Sequence, residues 1–265
     1  METINTIQSQ TFGILIDFKT RGEKLIPRHE IDPLFKKWGE PSNVVVSLNR
    51  QSLANKAVAL TEDSPFLEER NWKVKNRKGI HILNHTFCAV VEIPENPPSK
   101  FHGKVSADLV TAYEIFYNLY MSFINSYYSA VAISQYIREV LLGVGIETYA
   151  FGKSVFVPLS RRKEAEELMR DFDKFFRFSI IEITSTENNM QEVREFVVQH
   201  LKQMFEKVDS LQKEGWLLKY MEEVSTEIER MKKDFKFVLE IVETYEKKIK
   251  EVVAKKITGE KVVAS

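Results

Sequence analysis

Apolar residues recur at alternating intervals of four and three along the C-terminal part of the chain. The positions of this grid are Leu217, Met221, Val224, Ile228, Met231, Phe235, Val238, Val242, Tyr245, Ile249 and Val252. Most residues between them are charged, and such spacing is typical of a helix that buries one narrow seam against another helix. The pattern therefore predicts a continuous helix over residues 217–252, roughly 54 Å long at 1.5 Å per residue.

A second apolar grid precedes the first one, within a predicted helix over residues 187–211. Its positions are Val197, Leu201, Met204, Val208 and Leu211. The two grids are out of phase near Gly215, which leaves two alternatives. Either the chain turns there and the helices pair as an antiparallel hairpin, or one long helix carries a local discontinuity. The glycine favours the turn, and residues 187–257 are predicted to form a helical hairpin or coiled-coil arm.

The second helix of this arm is predicted to be the longer one, so part of its seam extends beyond its partner. Phenylalanine and aliphatic residues widen the apolar face in that part. We expect it to dock onto the rest of the chain or to form a contact in a homodimer. The predicted protein-interaction residues are Phe235, Val238, Leu239 and Val242.

The first hundred residues alternate between short apolar runs and turn residues, as strands of a mostly antiparallel sheet do. The predicted strands span residues 11–18, 24–27, 44–48, 72–77, 80–83 and 87–93. Helices are predicted over residues 31–38 and 52–60, the first of them ending at Gly39. Prolines between residues 94 and 103 block both helix and strand pairing, so they predict a boundary after an α/β sheet domain of residues 1–97.

The middle of the chain has the pattern of two helices followed by a β-hairpin, a third helix and a strand. These elements are predicted at residues 106–128, 132–142, 146–159, 161–175 and 178–183. The order helix, helix, hairpin resembles a winged-helix module over residues 106–160, which implies that the second helix contacts DNA and that Lys153 lies at the tip of the wing. Residues 103–184 are accordingly predicted to be a winged-helix-like segment. The whole chain is predicted to be an α+β protein.

The strand sequence Val155-Phe156-Val157-Pro158 carries a second resemblance. It is similar to a strand of an uncharacterised family of archaeal, phage and plasmid proteins. The resemblance implies an origin in a mobile genetic element, and it implies no particular activity.

Composition narrows the classes of protein that fit. The 265 residues include 38 basic and 38 acidic ones, so the chain is not a general polyanion binder, although a local basic patch is compatible with this balance. No apolar run is long enough to span a membrane, and residues 1–10 lack the features of a signal peptide. The single cysteine, Cys88, excludes an intramolecular disulfide. We therefore expect a cytoplasmic protein.

Basic residues cluster in two places that suit nucleic acid. Lys73, Lys75 and Arg77 alternate along a predicted strand, which would present all three on one face next to Lys78. The second place is the winged-helix-like segment. Its candidates are Gln135, Arg138, Lys153, Arg161 and Arg162. A solvated surface explains both clusters equally simply, because each lies among a similar number of acidic residues.

Catalytic signatures are weak throughout the chain. Asp17 and Lys19 have the spacing of a metal-dependent nuclease strand but lack a second acidic residue upstream, and His81 and His85 lack a third metal ligand. We expect neither a metal nor a cofactor. The sequence favours a non-enzymatic interaction or scaffolding protein that acts through its C-terminal helices on a protein partner or a second copy. Nucleic-acid binding to DNA or RNA is the alternative, and a metal-dependent nuclease is a remote one.

Overall fold

The computed structural model describes residues 10–22, 25–62, 81–83, 87–89, 107–148, 154–211 and 214–258. The fold is mixed α+β, with predominantly helical structure and one four-stranded antiparallel sheet. The chain divides into two compact units. We call residues 1–19 with 139–265 the sheet unit, and residues 20–138 the helical unit. The predicted boundary at residues 94–103 lies outside the described residues, and the first strand belongs to the unit that contains the C-terminal helices.

Strand β1 (Thr11–Thr20) begins the described chain and is followed by the elements of the helical unit. These elements are β2 (Leu25–Pro27), α1 (Arg28–Trp38), α2 (Asn43–Glu62), β3 (His81–Leu83), β4 (Phe87–Ala89), α3 (Ala107–Ser126), β5 (Tyr127–Ser129) and the first part of α4 (Ala130–Val144). Strand β2 pairs with β5 in an antiparallel ladder that joins Leu25 to Ser129. The predicted return strand is therefore present, but its partner lies between α3 and α4. Strands β3 and β4 pair with each other.

The predicted strand over residues 44–48 is wrong, because these residues form the first turns of α2. Ser42 provides the start signal: its hydroxyl accepts a hydrogen bond from the amide of Val45, at 3.3 Å. Burial follows a helical pattern, since Val45 is buried whereas Val44 is 55% exposed. A run of three valines fits a buried strand and one face of a helix equally well, and the capping serine decides between them.

The sheet unit contains four strands in the order β6-β7-β1-β8. The strands that join β1 are β6 (Ile146–Glu147), β7 (Val155–Pro158) and β8 (Phe176–Thr184). Strand β7 is antiparallel to both β6 and β1, so the predicted hairpin is present as half of a larger sheet. Helix α5 (Arg162–Phe172) follows a short 3-10 helix over Leu159–Arg161 and contacts β7. The structure does not confirm a winged-helix arrangement.

The centre of this sheet, formed by β1 and β7, is buried on both faces. Leu15 and Phe156 lie in one apolar cluster with the C-terminal helices. Their neighbours Ile14, Ile16 and Val157 are also fully buried, and strand alternation directs them to the opposite face. Gly13 permits this packing, because a Cβ atom there would overlap the ring of Phe156.

Three C-terminal helices complete the sheet unit: α6 (Glu187–Ser210), α7 (Glu214–Asp234) and α8 (Leu239–Thr258). Helices α6 and α7 are antiparallel, with His200 bonded to Glu227 at 2.9 Å, so the chain turns near Gly215. Helix α8 reverses again and runs beside both of them. Its Lys256 donates to the carbonyl of Leu211 at 3.0 Å, which ties the C-terminal ends of α6 and α8 together. The three helices form a bundle on the sheet, and a coiled-coil arm is not confirmed.

The predicted continuous helix over residues 217–252 is wrong. Helix α7 ends at Asp234, and a 3-10 helix over Lys236–Val238 leads into α8. Phe235 and Phe237 turn onto the sheet there: Phe235 lies 6.2 Å from the ring of Phe156, and Phe237 lies 5.6 Å from the ring of Phe12. The heptad pattern continues through the break because α7 and α8 both face the same apolar cluster.

Candidate functional sites

The predicted nucleic-acid-binding residues fall into three groups in the structure. Lys73, Lys75, Arg77, Lys78 and Lys153 lie outside the described residues. Gln135 and Arg138 are half-buried on α4 and have partners of their own, so they do not form an open reading surface.

Arg161 and Arg162 are each held by two carboxylates. Arg161 donates to Asp234 at 3.1 Å and to Glu164 at 3.1 Å, and the Asp234 side chain is only 1% exposed. Arg162 donates to Glu166 at 2.7 Å and to Glu182 at 2.8 Å. The pair that the sequence marked for phosphate contacts thus serves to connect α5 with α7 and β8. Its positive charge is already balanced within the sheet unit.

The predicted protein-interaction residues lie mostly inside the sheet unit. Phe235, Val238 and Val242 are buried in the cluster between bundle and sheet, while Leu239 is 38% exposed. The structure thus contains the first of the two predicted arrangements, in which this region docks onto the chain itself. The apolar seam is covered without a second protein.

The candidate metal ligands lie in different parts of the chain. Asp17 is exposed on β1, His81 lies in β3, and His85 is outside the described residues. Among the residues that the structure describes, no group of three or more His, Cys, Asp or Glu side chains could hold a metal ion. No described helix is both long enough and apolar enough to cross a bilayer.

Strand β8 lies at the edge of the four-stranded sheet, as far as the described residues define it. Most of its side chains are exposed, including Ile180 at 45% and Ile181 at 58%. The amide of Ser185 donates to the carbonyl of Gln10 at 2.8 Å, just beyond the ends of β8 and β1. Because the backbone groups of a strand alternate in direction, about half of the N–H and C=O groups of β8 lie on the side away from β1. An edge of this kind is a template for another strand.

A cavity of about 510 Å³ lies in the helical unit, within the size range of small-molecule pockets. Its walls come from α1, α2, the segment between them, the end of α3 and β5. The polar lining consists of Arg28, Asp32, Lys36, Glu40, Asn49 and Arg50. The apolar lining consists of Phe35, Pro41, Val45, Val46, Ile124 and Tyr128.

Tyr128 organises one wall of the cavity. Its hydroxyl donates to Asp32 at 2.7 Å and accepts from Arg28 at 2.8 Å, while Arg28 also donates to the carbonyl of Ile124 at 2.9 Å. The Arg28 guanidinium lies 4.7 Å from the centre of the Tyr128 ring. Burial, together with the hydrogen bond to Asp32, raises the pKa of Tyr128 to about 12. The phenol is therefore a protonated, fixed link at neutral pH.

Asn49 is the buried polar residue of the cavity, with 7% of its surface exposed. Its Oδ1 accepts the amide hydrogen of Ser129 at 2.7 Å, which fixes the orientation of the side-chain amide. Its Nδ2 group has no hydrogen-bond partner within the described part of the chain, and the residue lines the cavity. The Nδ2 group is not among the enclosed atoms without a partner, so this donor is within reach of a molecule that enters the cavity.

Sequence reasoning does not find this cavity, because its lining comes from two distant stretches of the chain, residues 28–50 and 124–128. Residues 44–48 were assigned to a strand, which hid the helical spacing that places Val45, Val46 and Asn49 side by side. The sequence feature that indicates the helix is Ser42, a residue type that often caps the first turn of a helix.

A polar cluster also lies inside the helical bundle. His200 and Arg230 both bond to Glu227, and Arg230 donates to the carbonyl of Gly145 at 3.2 Å. Burial would raise the pKa of Glu227, but the hydrogen bonds from Arg230 and His200 outweigh it and hold this pKa below its usual value. Within the described residues, the Nη1 atom of Arg230 is enclosed without a partner. The cluster ties α6 and α7 to the start of β6.

Comparison with known proteins finds no matching family model, no matching curated protein and no matching solved structure. The proposals below therefore depend on the geometry of this chain.

Proposed function

We propose that this protein is a non-enzymatic interaction protein and that its binding surface is the open edge of β8. The observation that carries the proposal is a nine-residue edge strand with two adjacent exposed isoleucines. Natural edge strands usually carry lysines, prolines or bulges that prevent pairing. Strand β8 contains neither lysine nor proline. The C-terminal apolar seam is not the proposed contact surface, because it is already buried within the sheet unit.

The partner proposed for this edge is a second copy of the chain. A two-fold axis through Ile180 pairs two β8 strands in antiparallel orientation and places Ile180 opposite its own copy. The backbone N–H and C=O groups on the free side of the two β8 strands then exchange hydrogen bonds across the axis. Ile181 of each copy lies beside Ser179 of the other on the opposite face. Both exposed isoleucines leave water, and no like charges meet.

Sedimentation velocity over a concentration series tests this proposal with two variants at one position. Ile180→Pro removes a backbone N–H at the centre of the proposed pairing and restricts the backbone there, whereas Ile180→Thr keeps the N–H and the strand preference. We expect dimers for the wild type, weaker dimers for the threonine variant and only monomers for the proline variant. Circular dichroism controls for folding. A wild-type chain that stays monomeric at every concentration would contradict the proposed partner.

Nucleic-acid binding is the alternative function, and its tentative contacts are the basic residues named above. Its support is weaker because Arg161 and Arg162 are ion-paired. Retention of labelled DNA and RNA across a salt series tests it, since phosphate contacts produce a steep loss of affinity with salt. Loss of that slope in Lys73→Ala, Lys75→Ala and Arg77→Ala together would favour this alternative.

A further inference from the structure

We propose that the cavity of the helical unit binds a small amphipathic anion, with a carboxylate or phosphate head group at Asn49 and a compact apolar body against Phe35 and Tyr128. This site is independent of the edge strand. It lies entirely within one unit, and its size fits a metabolite-sized molecule.

The head group follows from the hydrogen bonding of Asn49. The Oδ1 atom of its amide is already used by the amide of Ser129, so only a donor remains. This donor belongs to a buried side chain that lines the cavity, and a ligand oxygen would accept its hydrogen bond. The cavity therefore selects ligands that present an acceptor at this depth.

The charge of the head group follows from the other lining residues. Arg28, Lys36 and Arg50 outnumber Asp32 and Glu40, so the formal charge of the lining is positive. Arg28 and Asp32 lie 3.9 Å apart and balance each other, so the net positive charge comes from Lys36 and Arg50 against Glu40. A carboxylate or phosphate suits this surface, and a cationic ligand does not.

The body of the ligand follows from the remaining walls. Phe35 and Tyr128 pack edge to face with ring centres 5.1 Å apart, and Val45, Val46 and Ile124 complete an apolar surface. Aromatic and aliphatic walls with a few placed polar groups are typical of small-molecule sites. An aromatic ring with one anionic substituent has both required properties.

Nuclear magnetic resonance of the full chain tests the inference with three probes: benzoate, phenyl phosphate and benzylamine. The side-chain amide signals of Asn49 are followed up to about 10 mM, because fragment-sized ligands bind weakly. We expect saturable shifts with at least one anion, and the preferred anion distinguishes a carboxylate from a phosphate ligand. An equal response to benzylamine, or no response to any probe, would overturn the inference.

Three variants, two of them a matched pair, keep the test independent of folding defects. Asn49→Asp retains the acceptor for Ser129 but replaces the donor with a negative oxygen, and it should weaken anion binding by about tenfold or more. Lys36→Gln changes an exposed cation of the cavity, whereas Lys37→Gln changes its neighbour, which lies over the Trp38 ring outside the cavity. We expect the first lysine variant to lose affinity several-fold and the second to keep it. Equal effects of the two would also overturn the inference.

Discussion

The interiors of the two units are built on different principles. In the sheet unit, a continuous apolar cluster runs from Leu15 through the three helices, and the carboxylates Asp234 and Glu227 are paired with Arg161 and Arg230. In the helical unit, the network of Arg28, Tyr128 and Asp32 borders a cavity of about 510 Å³. The interior of the sheet unit is therefore filled mainly by apolar side chains, whereas the interior of the helical unit contains a cavity with a partly polar lining. The first arrangement stabilises the sheet unit, and the second leaves space of the size that small molecules occupy in proteins.

The largest expected effect is at Phe235, where the break between α7 and α8 packs onto the sheet. Phe235→Ala removes a fully buried ring and should lower the free energy of unfolding by about 3–5 kcal/mol. Denaturant titration measured by the fluorescence of Trp216, in a chain whose other two tryptophans are replaced by phenylalanine, reports on the sheet unit. Leu239→Ala is the control, and it should cost less than about 1 kcal/mol because Leu239 is partly exposed. Equal losses of stability in Phe235→Ala and Leu239→Ala would contradict the difference in burial between these two residues.

A smaller effect is expected at Glu227, the acceptor of the polar cluster in the bundle. Glu227→Gln should cost about 2–3 kcal/mol at pH 7, because the charged hydrogen bonds from Arg230 and His200 are lost. The lowered pKa means that the wild type holds this stability above the usual pKa of a glutamate and loses it as pH falls through the lowered value. The difference between wild type and variant should therefore shrink below about pH 4.5. A difference that is constant down to pH 3 would show that charge is not its cause.

The corresponding change in the helical unit is expected to be milder. Tyr128→Phe removes the hydroxyl between Arg28 and Asp32 and should cost about 1 kcal/mol, because both charged partners remain partly exposed to water. Tyr127→Phe, on the neighbouring residue, should change stability by less than about 0.5 kcal/mol. The raised pKa of Tyr128 adds stability that is present below pH 10 and lost as pH rises through about 12. Unfolding at pH 8 and pH 11 checks both statements.

The smallest effect concerns the end of the helical bundle. Lys256 donates to the carbonyls of Val208, Asp209 and Leu211, and Lys256→Met should cost about 0.5–1 kcal/mol through loss of this helix cap. Lys247→Met changes an exposed lysine of the same helix and should have no measurable effect. Hydrogen exchange at the last turn of α6 measures the local change. Unaltered exchange there would show that the cap does not hold the two helix ends together.

Elements with strong periodicity or clear stop signals could be predicted from the sequence. Strand β1, helix α1 with its end at Gly39, the hairpin of β6 and β7, and the turn near Gly215 all follow from local patterns. The break at Phe235 could not be predicted in this way, because a heptad pattern records which side is buried and not whether the helix is continuous. The break depends on the packing of Phe235 and Phe237 against Phe156 and Phe12 of the sheet, which are distant in sequence.

The candidate sites were harder to predict than the elements. Arg161 and Arg162 form ion pairs with Asp234 and Glu182, which are distant in sequence. Two residues that form a basic cluster in the sequence therefore connect separate elements in the structure. The cavity depends on the position of Asn49 beside Ser129, eighty positions apart in the chain. Residue type and spacing describe local chemistry, and long-range packing decides which groups stay available.

Strand β1 has a consequence for how the protein is made. Gly13 pairs with Pro158, so the strand that leaves the ribosome early must wait for β7 and β8 before its ladders can form. Residues 20–138 are synthesised during that interval and are the part that can fold first. We expect stalled nascent chains ending near residue 175, in which residues 20–138 have emerged but β7 is still inside the ribosome, to protect the helical unit from protease while leaving residues 11–19 open to cleavage. Nascent chains that protect both segments at that length would show that β1 finds another partner before its own sheet is complete.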